Sequence, residues 1–351
     1  MVTIFVAPVT APVGASLMAA AGPKLPPGFS AQVYVSGEGF DLAPARGAHG
    51  IPATSTLALD HAGALYLART TSRRYTGAEV EDVWSIYRIP AGGARLTPAT
   101  QAQFFYGPPL PNPQVAAIHA GHQVFVTTFD RDRKIGVVYR LRDGRAELFA
   151  GGTPPRDTAP LFVQPEGAAF DAAGNLFVAD RNRGVVVRLD AAGRLLDPRY
   201  VAVPRPRLLA IAPSGELWIG SDGTAEAPWQ SGPGEIWTVA PNAAPRMVLR
   251  GPVAAGMGIG PSGHLFVADR HAARVFMLGR DGARMDFAHF GDGDAPRSLA
   301  FAPVTEQTRR AGIAGDLFIV TIARGAWPVN QVIRVTGPFD RFVNDGQAPS
   351  R

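Results

Sequence analysis

The side chains most able to do chemistry stand at one recurring point of this sequence, where an apolar, strand-like segment begins. In chain order they are Ser55, Gln114, Glu166, Arg207, Ala255 and Arg297. Carboxylate and amide oxygens at such points suit a hard divalent cation, but two arginines beside a single carboxylate repel one. We therefore expect no metal, no cofactor and no catalytic residue among them. We expect Glu166 and Arg207, which belong to neighbouring repeats, to form an ion pair.

A second set of polar residues stands where the following strand-like segment ends. Its members are Arg69, Thr128, Asp180, Arg181, Asp222, Asp269, Arg270 and Arg324. Guanidinium groups bind oxyanions through paired hydrogen bonds, so the arginines predict an acidic loop or an anionic ligand as partner. The structural alternative is that Asp180 and Asp269 bond to turn backbones, as Asp side chains often do, while the arginines are solvated.

Several catalytic chemistries are excluded by what the sequence lacks. It has no cysteine, which removes disulfides, thiolate metal sites and a thiol nucleophile. It also has no Gly-x-Ser-x-Gly motif and no phosphate-binding loop. Of its histidines, His61, His122 and His264 lie in or beside predicted turns. Among the seven histidines, His119, near an inner strand, is the candidate general base, and the alternative is that it is structural.

Six copies of one pattern give these polar residues their setting. The clearest copy, PEGAAFDAAGNLFVAD at 165–180, predicts a strand, a tight glycine turn and a second strand. The turn glycines are Gly63, Gly121, Gly174, Gly215, Gly263 and Gly315. The aromatic residues that follow them are Tyr66, Phe125, Phe177, Trp218, Phe266 and Phe318. We expect each glycine to supply the positive φ of a tight hairpin and each aromatic side chain to fill the wedge between adjacent sheets.

After each hairpin comes a third strand of alternating pattern, as at 83–89 and 234–239, and then an outer strand, as at 145–150. Four strands in each of six repeats predict an all-β fold, a six-bladed β-propeller with four-stranded blades. The segment Phe29–Ser36 precedes the first repeat. We predict that this segment pairs with the last blade, at Leu317–Val320 and Val332–Val335, so that the ring closes without an exposed edge.

Composition fits one closed domain with a separate N-terminal arm. Of 351 residues, 46% are hydrophobic and 18% charged, and 40 Gly and 32 Pro suit short strands joined by tight turns. The net charge of +5 favours acidic partners, while the lack of any long Lys/Arg run argues against nucleic acid. We divide the chain into an apolar N-terminal arm at 1–24, a propeller at 25–343 and a C-terminal tail at 344–351. The arm is either a cleaved signal or a retained segment that contacts a membrane or partner.

The string at 165–180 resembles an NHL repeat, and 255–270 is a second match. Over about residues 50–340 the chain is similar in outline to the gluconolactonase (senescence marker protein) family and to the glucose/sorbosone dehydrogenases. The leader Leu25-Pro-Pro-Gly-Phe29 also resembles the second family. The first resemblance implies a divalent cation held on the axis by Glu, Asn and Asp, a set of which only Glu166 is present. The second implies a quinone cofactor with a histidine base.

From these features we predict a non-catalytic propeller that acts as a docking or scaffold subunit of a membrane-bound protein complex, periplasmic or extracellular. Long insertions at 70–82, 222–234 and 304–315 carry or adjoin aromatic residues, which together with arginine often anchor interfaces. The candidate partner-binding residues are Arg69, Arg181, Arg270, Arg324, Trp84, Trp229 and Trp327. Residues 1–24 offer a peripheral membrane contact. The alternative is a sugar- or lactone-processing enzyme of one of the two resembled families.

Overall fold

Short antiparallel β-strands provide nearly all the regular structure of the protein. The computed structural model describes residues 22–40, 49–52, 54–69, 83–119, 123–130, 133–225, 232–291, 294–323 and 329–342. The predicted arm before residue 22 and the tail after residue 342 lie outside this description, as does Gly121. Within the described residues, no helix is long and apolar enough to cross a membrane.

The first three blades are consecutive four-stranded antiparallel sheets, each written here from the inner to the outer strand. Blade 1 contains β3 (Thr54–Leu59), β4 (Leu65–Arg69), β5 (Val83–Ile89) and β7 (Phe105–Pro111). Blade 2 contains β8 (Gln114–His119), β9 (Gln123–Asp130), β10 (Ile135–Arg142) and β11 (Arg145–Gly151). Blade 3 contains β12 (Pro165–Phe170), β13 (Leu176–Asp180), β14 (Val185–Leu189) and β15 (Leu195–Ala202).

The next two blades repeat this order, and the last differs in how it is completed. Blade 4 contains β16 (Pro206–Ile211), β17 (Leu217–Ser221), β18 (Gly234–Val239) and β19 (Arg246–Gly251). Blade 5 contains β20 (Ala254–Ile259), β21 (Leu265–Asp269), β22 (Arg274–Leu278) and β23 (Arg284–His289). Blade 6 contains β24 (Asp294–Phe301), β25 (Leu317–Ala323), β26 (Val329–Thr336) and the N-terminal β1 (Ser30–Gly37). The prediction of a six-bladed propeller is confirmed.

Ring closure depends on β1, which is the fourth strand of blade 6. It pairs antiparallel with β26, with Ser30 opposite Thr336 and Val33 opposite Ile333, as predicted. Its other edge is covered by β6 (Ala94–Leu96), which pairs with it in parallel. Two residues of β2 (His49–Gly50) pair in parallel with β26. Blade 6 is therefore tied to the segment just before blade 1 and to the connection between β5 and β7 within blade 1.

The hydrophobic core is divided among the six contacts between neighbouring blades. Each of the six buried clusters takes its members from two adjacent blades. Each contains one aromatic residue from the repeat, buried between the sheets as predicted: Tyr66, Phe125, Phe177, Trp218, Phe266 and Phe318. Fully burying such a side chain contributes about 1.5–3 kcal/mol, so the blades hold one another together by apolar burial.

The N-terminal leader packs on blade 5 before it reaches β1. Lys24 and His289 exchange backbone hydrogen bonds of 2.8 and 3.0 Å. The Phe29 ring meets the rings of Phe287, Phe339 and Phe342 at centroid distances of 4.9–5.0 Å, in edge-to-face arrangements. Because Phe339 and Phe342 follow β26, the two ends of the described chain are packed together on the same blade.

The insertion Val304–Gly315 also joins blade 6 to blade 1. It contains a one-turn helix at Glu306–Arg310, capped by the Thr305 side chain, which accepts a hydrogen bond from the Thr308 amide. The same Thr305 hydroxyl donates to the His61 carbonyl oxygen at 2.7 Å. Ile313, 1% exposed, lies in the core cluster shared by these blades and contacts Gly63. This insertion contributes to ring closure.

Replacing Ile313 should therefore loosen the junction between the last and first blades. We expect Ile313→Ala to lower the free energy of unfolding by about 2–5 kcal/mol, because it empties a buried site. The matched control is Val304→Ala in the same insertion, where the side chain is 52% exposed and the loss should stay within about 0.5 kcal/mol. Equilibrium urea denaturation measures both, and equal losses would contradict this role.

Candidate functional site

The inner strands begin, and the second strands end, at one face of the disc, which we call the entry face. The described members of both sets of polar residues found in the sequence lie there. Neighbouring inner strands contact one another all the way around the axis, in the order β3, β8, β12, β16, β20, β24. At Gly167 an added Cβ would lie 2.6 Å from the Arg207 carbonyl oxygen, and at Gly256 the same distance from Ser298 Cα. Residues without side chains thus allow the strands to approach closely.

A β-bulge near the start of each inner strand positions the predicted axial residues. In five strands it occurs at the same point, where one or two residues of the inner strand have no partner opposite them. The bulged residues are Ser55, Glu166, Arg207, Ala255 and Arg297. A bulge bends the strand and changes the direction of its side chain. In β8 the bulge comes later, between Val115 and Ala117, so Gln114 is an ordinary paired residue opposite Thr127.

The centre of the entry face is a buried cluster of two arginines on one carboxylate. Arg207 Nε donates to Asp222 Oδ1 at 2.7 Å, and Arg181 Nε donates to Asp222 Oδ2 at 2.9 Å. The three side chains are 11%, 12% and 1% exposed. Arg207 also donates through Nη2 to the Ala254 carbonyl oxygen on the next blade. The expected ion pair of Arg207 with Glu166 is thus corrected, because the carboxylate that contacts Arg207 is Asp222.

Glu166 lies beside this cluster in a different state. Its Oε1 accepts a 2.6 Å hydrogen bond from Gln164 Nε2. Burial raises the pKa of the Glu166 carboxyl above its usual value, although the Arg207 guanidinium and the Gln164 amide oppose the shift. The residue is half-buried by its accessible surface, and its carboxyl group is surrounded by protein atoms. Sequence reasoning missed Gln164, whose only signal is its place just before the repeat at Pro165.

The carboxylates at the strand ends are mostly used by the fold. Asp180 accepts hydrogen bonds from the amides of Val163, at 2.8 Å, and Gln164, at 3.1 Å. Asp269 accepts from the Ala272 amide at 3.0 Å and pairs with Arg274. These two residues follow the structural alternative stated above. Asp222 does not, because its carboxylate binds two guanidinium groups.

Two of the partner-binding candidates contact each other. The Arg69 Cζ atom lies 3.4 Å from the centroid of a Trp84 ring, a cation–π arrangement. Burial lowers the pKa of Arg69, and the Tyr87 hydroxyl offsets this in part. Arg270 is half-buried in the turn after β21, and Arg297 is half-buried at the bulge of β24. Arg324, Trp229 and Trp327 lie outside the described residues.

His119 is not at the entry face. It ends β8 opposite Gln123, at the far end of the strand, and its ring packs edge-to-face on Phe170 at 5.0 Å. The prediction that it is the remaining candidate base of an axial site is therefore corrected. His264 likewise belongs to a turn, where its Nδ1 lies 3.1 Å from the Ser262 hydroxyl oxygen.

A polar cleft of about 480 Å³ opens on the opposite face between blades 1 and 2. It is lined in part by Asp60, Tyr66, Arg88 and Tyr106. Burial and the nearby Asp60 carboxylate raise the pKa of Tyr66 to about 12. Blade 3 repeats this arrangement with an Asp, an Arg and two aromatic rings at Asp171, Phe177, Arg188 and Tyr200. The cleft is thus built in part from features that blades 1 and 3 share.

The described axial residues do not fit a divalent cation. Among the residues that the structure describes, no three His, Cys, Asp or Glu side chains are grouped as metal ligands. Asp222 is occupied by two guanidinium groups, and Glu166 lies within the field of the same arginines. Positive charges beside a carboxylate oppose the binding of another cation.

The fold is shared with enzymes of several kinds. No protein-family model matches the sequence, and no curated protein matches it. Among solved structures, the chain resembles the PQQ-bound aldose sugar dehydrogenase of Streptomyces coelicolor, with 15% identity and a TM-score of 0.56 over 89% of this chain and 100% of that one. It also resembles a protein to which gluconolactonase activity has been attributed, with 14% identity and a TM-score of 0.54 over 90% and 94% of the two chains. Virginiamycin B lyase from Staphylococcus aureus shows 12% identity and a TM-score of 0.50 over 88% and 99%.

These likenesses define the class of protein. The chain is a six-bladed β-propeller that resembles a lyase, a gluconolactonase and a quinone-bound sugar dehydrogenase in architecture. At identities of 12–15% the likeness concerns the fold alone.

The first test of the site concerns Asp222. Asp222→Asn should lower the free energy of unfolding by about 3–5 kcal/mol, because it leaves two buried guanidinium groups without their counter-charge. The control is Glu147→Gln, which removes the partly exposed pair with Arg140 and should cost less than about 1 kcal/mol. Equilibrium denaturation measures the free energy of unfolding of both variants. If both lose similarly little stability, the charge of Asp222 does not stabilise the cluster.

The second test uses the raised pKa of Glu166. The glutamates of an unfolded chain lose their protons near about pH 4.3, whereas the folded protein holds this proton to higher pH. Above that pH the folded state therefore binds the extra proton, and its stability falls as pH rises. Glu166→Gln lacks this proton. We expect the stability of this variant relative to the wild type to increase from about pH 4.3 upward. The increase should level off above the pKa that Glu166 has in the folded protein. If urea titrations show a stability difference that is flat or that falls with pH, the raised pKa of Glu166 is contradicted.

Proposed function

We propose that this protein is a non-catalytic docking propeller whose entry face binds an acidic segment of a protein partner. The observation that carries the proposal is the buried pair of Arg181 and Arg207 on the single carboxylate of Asp222. Two guanidinium charges on one carboxylate give this cluster a net positive charge, held in a fixed position, while the neighbouring Glu166 is protonated. Buried positive charge of this kind attracts and orients an anionic group more than a solvated side chain does.

The use of the carboxylates supports binding over catalysis. A general base or metal ligand needs a carboxylate that can accept a proton or a cation. Asp180 and Asp269 are bonded to backbone amides, and Asp222 is bonded to two arginines. Their oxygens serve the fold and are poorly placed for a reaction.

Arginines around the centre enlarge the positive surface. Arg133 and Arg183 are exposed in the turns of blades 2 and 3 on the entry face. Arg183 is held by its hydrogen bond to the Leu161 carbonyl oxygen, and Arg133 lies 3.4 Å from the Thr153 hydroxyl oxygen. Exposed charges of this kind raise the rate of association with an acidic surface and help to select it.

The wider setting belongs to the same proposal. We propose that the protein is an NHL-type propeller that serves as a scaffold subunit of a membrane-bound complex, in the periplasm or outside the cell. The apolar composition of residues 1–24 supports a peripheral contact with that membrane or complex. The stacked pair of Arg69 and Trp84 is of the residue types that commonly anchor interfaces.

A second candidate function rests on Glu166. A carboxyl group with a raised pKa, beside arginines on the axis of a propeller, is the kind of group that acts as a general acid. The solved propellers that this chain resembles include a lyase, a gluconolactonase and a sugar dehydrogenase. A sugar- or lactone-processing enzyme would need Glu166 for activity, whereas docking of an acidic segment would not be lost on its neutralisation.

Charge reversal on the entry face tests the docking function. We expect the double variant Arg133→Glu, Arg183→Glu to bind a fluorescent oligoglutamate peptide about tenfold more weakly, a loss of about 1.4 kcal/mol. The matched control is Arg142→Glu on the opposite face, where the side chain is 60% exposed and should not affect binding. Fluorescence anisotropy measures the affinities, and thermal melting verifies the fold.

The outcomes separate the two functions. Binding of the peptide that falls in the entry-face variant, but not in the control, supports docking. Equal binding by all three proteins, or none, would reject it. Turnover of sugars or lactones that is abolished by Glu166→Gln would establish the enzyme instead.

A further inference from the structure

The polar cleft between blades 1 and 2, on the face opposite the entry face, is large enough for a small molecule. Its volume of about 480 Å³ lies within the range that is usual for small-molecule sites, about 300–1,000 Å³. Arg88, Gln123, Tyr106 and Arg142 are among the residues that line it. The two arginines are exposed, and the other two residues are half-buried. These polar groups are therefore accessible to a ligand in one shared cavity.

The floor of the cleft is a chain of hydrogen bonds that runs from Asp60 to Arg88. Asp60 Oδ1 accepts from the amides of Ala62 and Ala64, at 2.9 and 2.8 Å. Its Oδ2 accepts from the Tyr66 hydroxyl at 3.2 Å, and the same hydroxyl accepts from Arg88 Nε at 3.0 Å. Asp60 and Tyr66 are each 2% exposed. The Asp60 carboxylate is therefore used by the fold and offers no free oxygen to a ligand.

The guanidinium group of Arg88 has donors that the fold does not use. Within the described residues its hydrogen bond is the one from Nε, which leaves the Nη1 and Nη2 groups without a protein acceptor. The side-chain amide of Gln123, at the start of β9, likewise makes no hydrogen bond to a described residue. Paired N–H groups of a guanidinium bind the two oxygens of a carboxylate in a fixed geometry.

Blade 3 shows what the Tyr66 hydroxyl changes. In both blades the arginine of the third strand is opposite the aromatic residue of the second, Arg188 opposite Phe177 and Arg88 opposite Tyr66. Phe177 has no hydroxyl, and there Arg188 Nη2 lies 3.6 Å from Asp171 Oδ2, a direct ion pair. In blade 1 the tyrosine hydroxyl stands between the carboxylate and the guanidinium group. Arg88 therefore keeps its Nη groups for another acceptor.

We propose that the cleft between blades 1 and 2 binds the carboxylate of a small organic acid, with Arg88 as the bidentate donor and the Gln123 amide as a further donor. The Tyr106 ring, which lies edge-to-face on the Tyr66 ring at a centroid distance of 5.4 Å, provides an apolar wall for the rest of the ligand. This site lies on the opposite face of the disc from the docking surface and does not depend on the docking function.

The charged pair at the rim makes binding depend on the sign of the ligand's charge. Arg142 and Asp143 are 60% and 86% exposed, and Arg142 Nε lies 3.5 Å from Asp143 Oδ2. Because an exposed pair of this kind is weak, the Asp143 carboxylate still repels an anion in the cleft. Asp143→Asn should strengthen the binding of a carboxylate about threefold and would weaken that of a cation. Asp143 and Gly144 have φ values of 50° and 73°, a turn that Asn-Gly also forms.

The test titrates the whole chain with benzoate, benzamide and benzamidinium, which share one shape and differ in charge, and measures binding by ligand-observed NMR. We expect benzoate to bind with a dissociation constant of about 1 mM and the cation to bind least. Arg88→Gln should weaken benzoate about tenfold, because it removes the paired donors. Tyr66→Phe should weaken it similarly, because Arg88 then pairs directly with Asp60. The matched control is Arg188→Gln in blade 3, which should leave benzoate binding unchanged.

Several results would overturn the site. Equal affinity for the three probes, or a preference for benzamidinium, rejects a carboxylate ligand. Benzoate binding that neither Arg88→Gln nor Asp143→Asn alters lies elsewhere and rejects the cleft, and so does an absence of saturable benzoate binding well above 1 mM, about the expected dissociation constant. Where Tyr66→Phe fails to fold, these two variants decide, because both change exposed side chains.

The result is independent of the docking measurement. At the micromolar peptide concentrations of fluorescence anisotropy, a site with a dissociation constant of about 1 mM stays nearly empty. Loss of oligoglutamate binding in the entry-face variant therefore concerns docking alone, and loss of benzoate binding in Arg88→Gln concerns the cleft alone. Either function is rejected without the other.

Discussion

The pairing of β1 with β26 joins residues that are 306 positions apart, as in the hydrogen bond between the Ser30 and Thr336 side chains. Bringing such distant segments together costs chain entropy, but that cost grows only slowly with loop length. The gain is large, because the pairing completes blade 6 and lets both of its faces be buried between neighbours. It also removes the strand edge that an open ring would expose. Every interface between blades, and with it the geometry of the axis, depends on this closure.

Further contacts act at the same junction. The parallel strand β6 covers the free edge of β1, and the insertion around Ile313 packs against blade 1. The ring is thus closed by backbone pairing and by apolar burial at once. The leader on blade 5 adds an aromatic cluster that involves both ends of the described chain.

Closure places inner strands in contact around the axis, and there the packing of the backbone governs the chemistry. Bulges at equivalent points direct one residue of most inner strands toward the same level, and Gly167 and Gly256 permit close approach of neighbouring strands. The side chains of Arg181, Arg207 and Asp222 are buried there, so their charges interact strongly. Asp222 pairs with two arginines, and burial raises the pKa of Glu166. The same environment that disfavours a cation suits an oxyanion, and this is the basis on which we propose docking of an acidic segment.

The sequence by itself determined the fold, because its signals are local. Turn glycines, the aromatic residue after each turn and the alternating third strands repeat six times, and each acts through near neighbours in its own hairpin or the next blade. The unpaired segment before the first repeat then implied closure, and β1 pairs as predicted. The sequence also placed Glu166, Arg207 and Arg297 at equivalent positions of their repeats. In the structure, each of the three lies at the bulge of its inner strand. Alignment of the repeats was sufficient for this.

Only the tertiary structure decided which side chains meet. Arg207 bonds to Asp222 where Glu166 was expected, Arg69 stacks on Trp84, and His119 lies at the face opposite the axial cluster. The displaced bulge of β8 removes Gln114 from the level of the other axial residues. These outcomes depend on the direction of side chains at bulges and strand ends, where a shift of one residue changes the face on which a side chain lies. Repeat patterns do not encode that direction, because it is set by the packing of six blades around one axis.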